Sequence, residues 1–230
     1  MKHILLAALA FALLAGSSIA FAYPNFAATN GIVAVPTAEI AATGTFMGAA
    51  DALFVSPTTF NARAIYGVAA NWEVGAGLAF NSDDTQLGLN AKIRIPGSMY
   101  GMGWALGASY VMANHDNNGA QIYFAGTRPI TMAGTTGPSL LGTIGLSFTT
   151  IESLSALRPF LGGQLRFPTA TEVGAEFVLE SGDFSENITS FVIRQALGRG
   201  FTGEIGVTNA IGFAGTRDHN IFVGLTRALY

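Results

Sequence analysis

The stretch LRPFLGGQLRFPTATEVGAEFVLE, Leu157 to Glu180, decides the fold. Read in alternation, its first arm places Arg158, Gly162, Gln164 and Arg166 on one face and Pro159, Leu161, Gly163, Leu165 and Phe167 on the other. Beyond Pro168 and Thr169 the second arm repeats the arrangement, with Glu172, Glu176 and Glu180 against Val173, Ala175, Phe177 and Leu179. Side chains of a β-strand alternate with a period of two, so each arm reads as a strand with an ionic side and an apolar side. A turn centred on Thr169 sets Arg166 opposite Glu172 and Arg158 opposite Glu180, charges that pair across an antiparallel ladder. A sheet in water hides its apolar face under a second layer. The rest of the chain says whether there is one.

Composition points to lipid instead. Of 230 residues 50% are hydrophobic and only 11% charged, where ordinary soluble domains carry about 25%. The length suits one large domain or two small ones. A formal net charge of −3 with no basic run argues against a nucleic-acid partner. The absence of Cys removes disulfides, thiolate metal sites, a Cys nucleophile and a lipidated N-terminal Cys.

Residues 1–22 read as a cleaved secretory signal peptide. Lys2 and His3 precede an apolar run from Ile4 to Leu14, and Gly16, Ser17 and Ser18 lead to the small-x-small site Ala20-Phe21-Ala22. The run is too short to span a bilayer as an anchor. After Ala22 no stretch of about 18 apolar residues recurs, so crossing by helices is excluded. Hydrophobicity comes instead in pulses of about ten residues separated by Gly, Asn, Asp, Ser and Pro, the pattern of a transmembrane β-barrel.

Residues 23–43 form a lead-in, with Pro36 to Ala42 suited to one or two helical turns. This segment either plugs the bore or tethers it. The barrel domain is residues 44–230. Asp51 and Arg63 are equidistant from Pro57, and Arg194 and Glu204 from Arg199, giving two more candidate cross-strand ion pairs. Between them lies the cleanest strand, in which Leu87, Leu89, Ala91, Ile93 and Ile95 interleave with Gln86, Gly88, Asn90, Lys92 and Arg94. Pro96 to Met102 and Arg128 to Pro138 read as longer connections, and Ala214 to Asn220 as a loop before the last strand, Ile221 to Tyr230.

The fold class is therefore all-β, an antiparallel up-and-down barrel of about twelve strands, with ten or fourteen as alternatives. Twelve strands of about ten residues with short loops need roughly 190 residues, close to what remains after the leader. Trp72, Trp104, Phe167, Phe201 and Tyr230 fall beside one set of turns, and Phe54, Phe60, Phe80 and Phe213 near the opposite rim, as interfacial girdles do.

Thirteen charges take the inward parity: Asp51, Arg63, Glu73, Lys92, Arg94, Arg158, Arg166, Glu172, Glu176, Glu180, Arg194, Glu204 and Arg227. They either line a pore and select solutes or neutralise one another in a hydrogen-bonded network. The paired register favours the network.

The ending FVGLTRALY, with Tyr230 last and Phe222 eight residues earlier on the same face, resembles the C-terminal strand of Gram-negative outer-membrane barrels. That resemblance implies recognition by the barrel-assembly machinery. The segments NGIVAVPTAEIAATGTF and YGVAANWEVGAG, within residues 30–77, are similar to the start of barrels of the YjbH group, which implies a link to exopolysaccharide secretion. His115, Asp116, Asp218, His219, Asp83 and Asp84, all in expected external loops, loosely resemble the rim site of omptin proteases, though with different spacing. No Walker loop, dinucleotide fingerprint or metal cluster is present, and no cofactor is implied. The expectation is a non-enzymatic outer-membrane protein surrounded by lipid, a narrow pore for small polar solutes. The alternatives are a non-conducting barrel serving envelope or exopolysaccharide export with a periplasmic partner, and, third, a rim-site hydrolase.

Overall fold

The computed structural model describes residue 25 and residues 28–113, 118–130, 137–184, 186–211 and 214–229. The leader assigned to residues 1–22 lies outside the described residues, as do His115, Asp116, Phe213 and Tyr230.

Twelve strands follow in order among the described residues: β1 (Phe46–Phe54), β2 (Thr59–Ala69), β3 (Trp72–Phe80), β4 (Thr85–Met99), β5 (Met102–Ala113), β6 (Gly119–Ile130), β7 (Ser139–Ile151), β8 (Leu154–Arg166), β9 (Thr171–Val178), β10 (Ile188–Gly198), β11 (Phe201–Ile211) and β12 (Ala214–Leu229). Each pairs antiparallel with its sequence neighbours, and β1 closes the ring on β12 through Phe46↔Leu229 to Phe54↔Ile221. Closure satisfies every ladder, so no sheet edge is left to pair with another chain.

The period-two pattern sorts the side chains. Leu89, Leu106, Ile144, Leu161, Ile193 and Ile205 stay 40–53% exposed on the outside. Among the described residues no second protein layer covers them, and so continuous an apolar exterior suits hydrocarbon. On the alternate parity Glu73, Lys92, Gln164, Arg194 and Thr208 are buried within the ring. No helix among the described residues is long and apolar enough to cross a membrane, so the crossing falls to the strands.

Four local expectations are corrected. The strand before Pro96 continues to Met99, and the chain reverses at Tyr100 and Gly101, both with positive φ. Pro96 has no N–H for the ladder, and the register slips between Ile95 and Met99 rather than ending there. Similarly, β6 runs on to Ile130, into the connection expected over residues 128–138, while β7 begins just past it at Ser139. Residues 214–220 join β12, where Gly215 pairs with Ala210. The helical turns expected over Pro36–Ala42 do not form, because the N–H groups of Ala38 and Ala41 go to Thr127 Oγ1 at 2.8 Å and Glu73 Oε2 at 2.9 Å.

Candidate functional site

Within the lead-in, residues 28–41 occupy the bore. Gly31 and Pro36 bridge antiparallel, with Ile32 N–H to Val35 C=O at 3.0 Å and Thr37 N–H to Asn30 C=O at 3.0 Å. Residues 30–37 thus make a miniature hairpin, too short to join the barrel ladder and surrounded by its inward side chains. At its tip the Glu176 carboxylate accepts three successive N–H groups: Val33 and Val35 at 2.9 Å on Oε2, and Ala34 at 2.7 Å on Oε1. Two carboxylate oxygens offer about four lone-pair sites, enough for such a cluster.

The hairpin's base rests on a buried ion pair across β3 and β4. Register places Glu73 opposite Lys92, and Nζ lies 2.9 Å from Oε1. Glu73 also accepts Thr29 Oγ1 at 2.6 Å, Asn30 N–H at 2.8 Å and Ala41 N–H. Lys92, 1% exposed, directs its other two donors to the carbonyls of Asn30 at 3.1 Å and Thr37 at 3.2 Å. A buried pair is tolerable only when its remaining donors and acceptors are satisfied. Here the segment satisfies them.

Missing side chains on the wall make the close approach feasible. A Cβ on Gly75 would collide with the Ala28 carbonyl oxygen, and one on Gly162 with Ile32 Cδ1. Ile32 packs with Val33, Leu53, Val192 and Phe222. Val35 packs with Tyr123, Phe160, Val178 and Ile188.

Most of the remaining charges form one row running around the wall. Arg166 faces Glu172, Glu172 faces Arg194, and Arg194 faces Glu204 in the register of β8 to β11. Arg166 Nε to Glu172 is 2.8 Å, Arg194 Nη1 to Glu172 is 2.8 Å, and Arg194 Nε to Glu204 is 3.1 Å. The row passes Gly224 on β12, where a Cβ would stand 2.7 Å from Glu204 Oε1 and 2.9 Å from Asp51 Cβ. Across that gap Arg63 pairs with Asp51 and lies 3.6 Å from Glu204. Asp51 faces Asn61 in register, so its contact with Arg63 is diagonal. Arg194 also donates to the Ile32 carbonyl, and Arg166 to Glu39 at 3.0 Å, tying the row to the segment.

Other expected inward charges lie elsewhere. The β8–β9 register ends at Phe160↔Val178, so Glu180 leaves the ladder and is exposed. Arg158 donates instead to the carbonyls of Leu179 at 3.3 Å and Glu186 at 2.9 Å, beneath the Phe184 ring. Arg94 is exposed beside the β2–β3 turn, where its N–H reaches Asn71 C=O. Arg227 shares the parity of the outward Ile221 and Val223 and is covered by the Phe201 ring, 4.6 Å from its centroid. Conversely, Phe222 on the other parity turns inward and is buried.

Sequence reasoning missed Thr29, Glu39, Tyr123 and Thr127. Tyr123 and Thr127 share the inward parity of Gln121 in a strand too short of charge to draw notice. Glu39 and Thr29 sit in a segment with no strand period. Among the girdle residues, Trp72 is 48% exposed, Trp104 stacks on Phe124 at 4.7 Å, Phe60 stacks on Phe80 at 5.7 Å, and Phe167 is half-buried.

Asp84 lies in the β3–β4 loop and accepts Gln86 Nε2 at 3.1 Å, while His219 on β12 meets Thr189. Strands β1 to β3 intervene between these two groups in the ring. Among the described residues no cluster of His, Cys, Asp and Glu fit to hold a metal occurs. Beside Ala28, toward that same loop, a cavity of about 100 Å³ is lined by Thr59, Asn61, Arg63, Asn81 and Gln86.

No family model and no curated protein matches this chain. Solved structures do. The KdgM porin aligns with a TM-score of 0.65 at 10% identity, covering 81% of this chain and 99% of that one. Omp33 of Acinetobacter baumannii gives 0.57 at 11% identity, covering 81% and 98%. The NanC porin gives 0.53 at 9% identity, covering 80% and 99%. At such identities the likeness is one of architecture: this chain has the fold of the outer-membrane β-barrel porins.

Proposed function

We propose that the protein is a gated outer-membrane pore for small polar solutes, held closed by residues 28–43. The observation that carries this reading is the nature of the closure. The segment joins the wall mainly through side chains of β3, β4, β6, β8, β9 and β10, with Thr43, among the described residues, bridged to Gly67 at its base. A segment so held can withdraw while the twelve ladders stay intact. The barrels of similar architecture are porins, and one of them was solved with a disordered oligogalacturonate. Delivery by the residue 1–22 leader, insertion by the barrel-assembly machinery and residence among outer-membrane lipids belong to the same reading.

The test is planar-bilayer recording of the wild type beside Gly75→Ala, whose methyl group displaces Ala28. Rare openings in the wild type and frequent ones in the variant are expected. Silence from both overturns the pore. The filled bore also favours a second reading, a non-conducting barrel serving envelope or exopolysaccharide export, for which silence and co-purification with a periplasmic partner is the expected result.

A further inference from the structure

The wall holds the hairpin by its peptide groups. Glu176 takes the N–H groups of Val33, Ala34 and Val35, Glu73 those of Asn30 and Ala41, and Thr127 that of Ala38. In the opposite sense Lys92 donates to the carbonyls of Asn30 and Thr37, and Arg194 to that of Ile32. The side chains of Ile32, Val33, Ala34, Val35 and Pro36 carry no polar atom, so across the tip there is nothing else to bind. Carboxylates stand where a peptide presents N–H, and cations where it presents C=O.

Main-chain recognition fixes the spacing of donors and acceptors and is indifferent to most side chains. An acidic oligosaccharide would set its carboxylates against Glu73 and Glu176, and like charges in a confined bore repel by several kcal/mol. We propose that the bore is a receptor for short oligopeptides that bind as a tight hairpin turn, that these are the solutes it admits, and that residues 30–38 are a built-in mimic of them. The inference rests on the gated-pore reading: the segment must be able to vacate its seat, and admission of the peptides needs the open bore.

The test is calorimetric titration in detergent, with bilayer recording on the same preparations. The protein is the full chain carrying Ala34→Pro, which removes one N–H bound by Glu176 and alters no wall residue. The probes are a capped peptide with the sequence of residues 30–38, and the same peptide N-methylated at the amides matching Val33, Ala34 and Val35. A capped nonapeptide of alanine and serine and a trigalacturonate complete the set. The unmethylated peptide is expected to bind at least tenfold more tightly than its methylated form. The alanine–serine peptide should fall within tenfold of it, with the acidic sugar failing to compete. Equal binding of the methylated and unmethylated peptides, or preference for the sugar, overturns the proposal. Gly75→Ala frees the seat from the wall side, and absence of peptide binding to both variants overturns it as well. Peptide binding with no current from either variant leaves the receptor standing and overturns both the pore and the admission of peptides through it.

Discussion

Replacing Glu176 by Gln tests the closure with a change of almost no volume. The carboxylate accepts three N–H groups at 2.7–2.9 Å, all from the hairpin tip. Hydrogen bonds to a charged group contribute about 1.5–3 kcal/mol each, roughly twice the neutral value. In Gln one oxygen becomes an NH₂ that confronts a donor, either Ala34 N–H or the pair from Val33 and Val35. At least one bond is lost outright and the others fall by about half, a net loss of roughly 3–5 kcal/mol. Every 1.4 kcal/mol is tenfold in an equilibrium constant, so the ratio of open to closed bore should rise by about a hundredfold or more. The wall should not change, since Glu176 takes part in the β8–β9–β10 ladders only through its backbone. The assay is open probability in planar bilayers, with heat-modifiable gel migration confirming an intact barrel. An intact variant whose open probability stays within threefold of the wild type refutes the latch.

Three further outcomes follow from the same geometry. Lys92→Met strips the Glu73 carboxylate of its cation in a buried site, and breaking such a pair costs about 3–5 kcal/mol; the temperature at which the folded gel band disappears should drop clearly, and an unchanged transition argues against the pair. Gly224→Val drives a side chain into the space of Glu204 and Asp51, an overpacking of about 1–3 kcal/mol read as a lower urea midpoint for folding into vesicles. Leu161→Arg places a charge on the outer face, where Leu161 is 53% exposed. Near the bilayer midplane this costs about 2–4 kcal/mol in the same vesicle assay, and no loss would deny that this row meets hydrocarbon.

The strands were legible because a period of two is local. Leu157 to Glu180 announces two arms, and a turn centred on Thr169 places Arg166 opposite Glu172 by symmetry alone, as the register shows. The same symmetry about Arg199 places Arg194 opposite Glu204. It fails for Arg158 and Glu180, where pairing stops before the symmetry is used up. The inward assignment of Arg227 fails for another reason: alternation sets it with Ile221 and Val223 on the outer row, where it lies over the ring of Phe201. The sequence by itself therefore determined that the chain alternates greasy and polar faces about twelve times around, enough to specify a barrel in lipid. What fills that barrel was decided only by closure. The contacts that seat residues 30–38 join positions 43 to 162 residues apart in the chain, and no pattern in a lead-in without period can say which wall it will meet. Only the closed ring brings β3, β4, β6, β9 and β10 around one short hairpin, with the carboxylates and cations that satisfy its peptide groups.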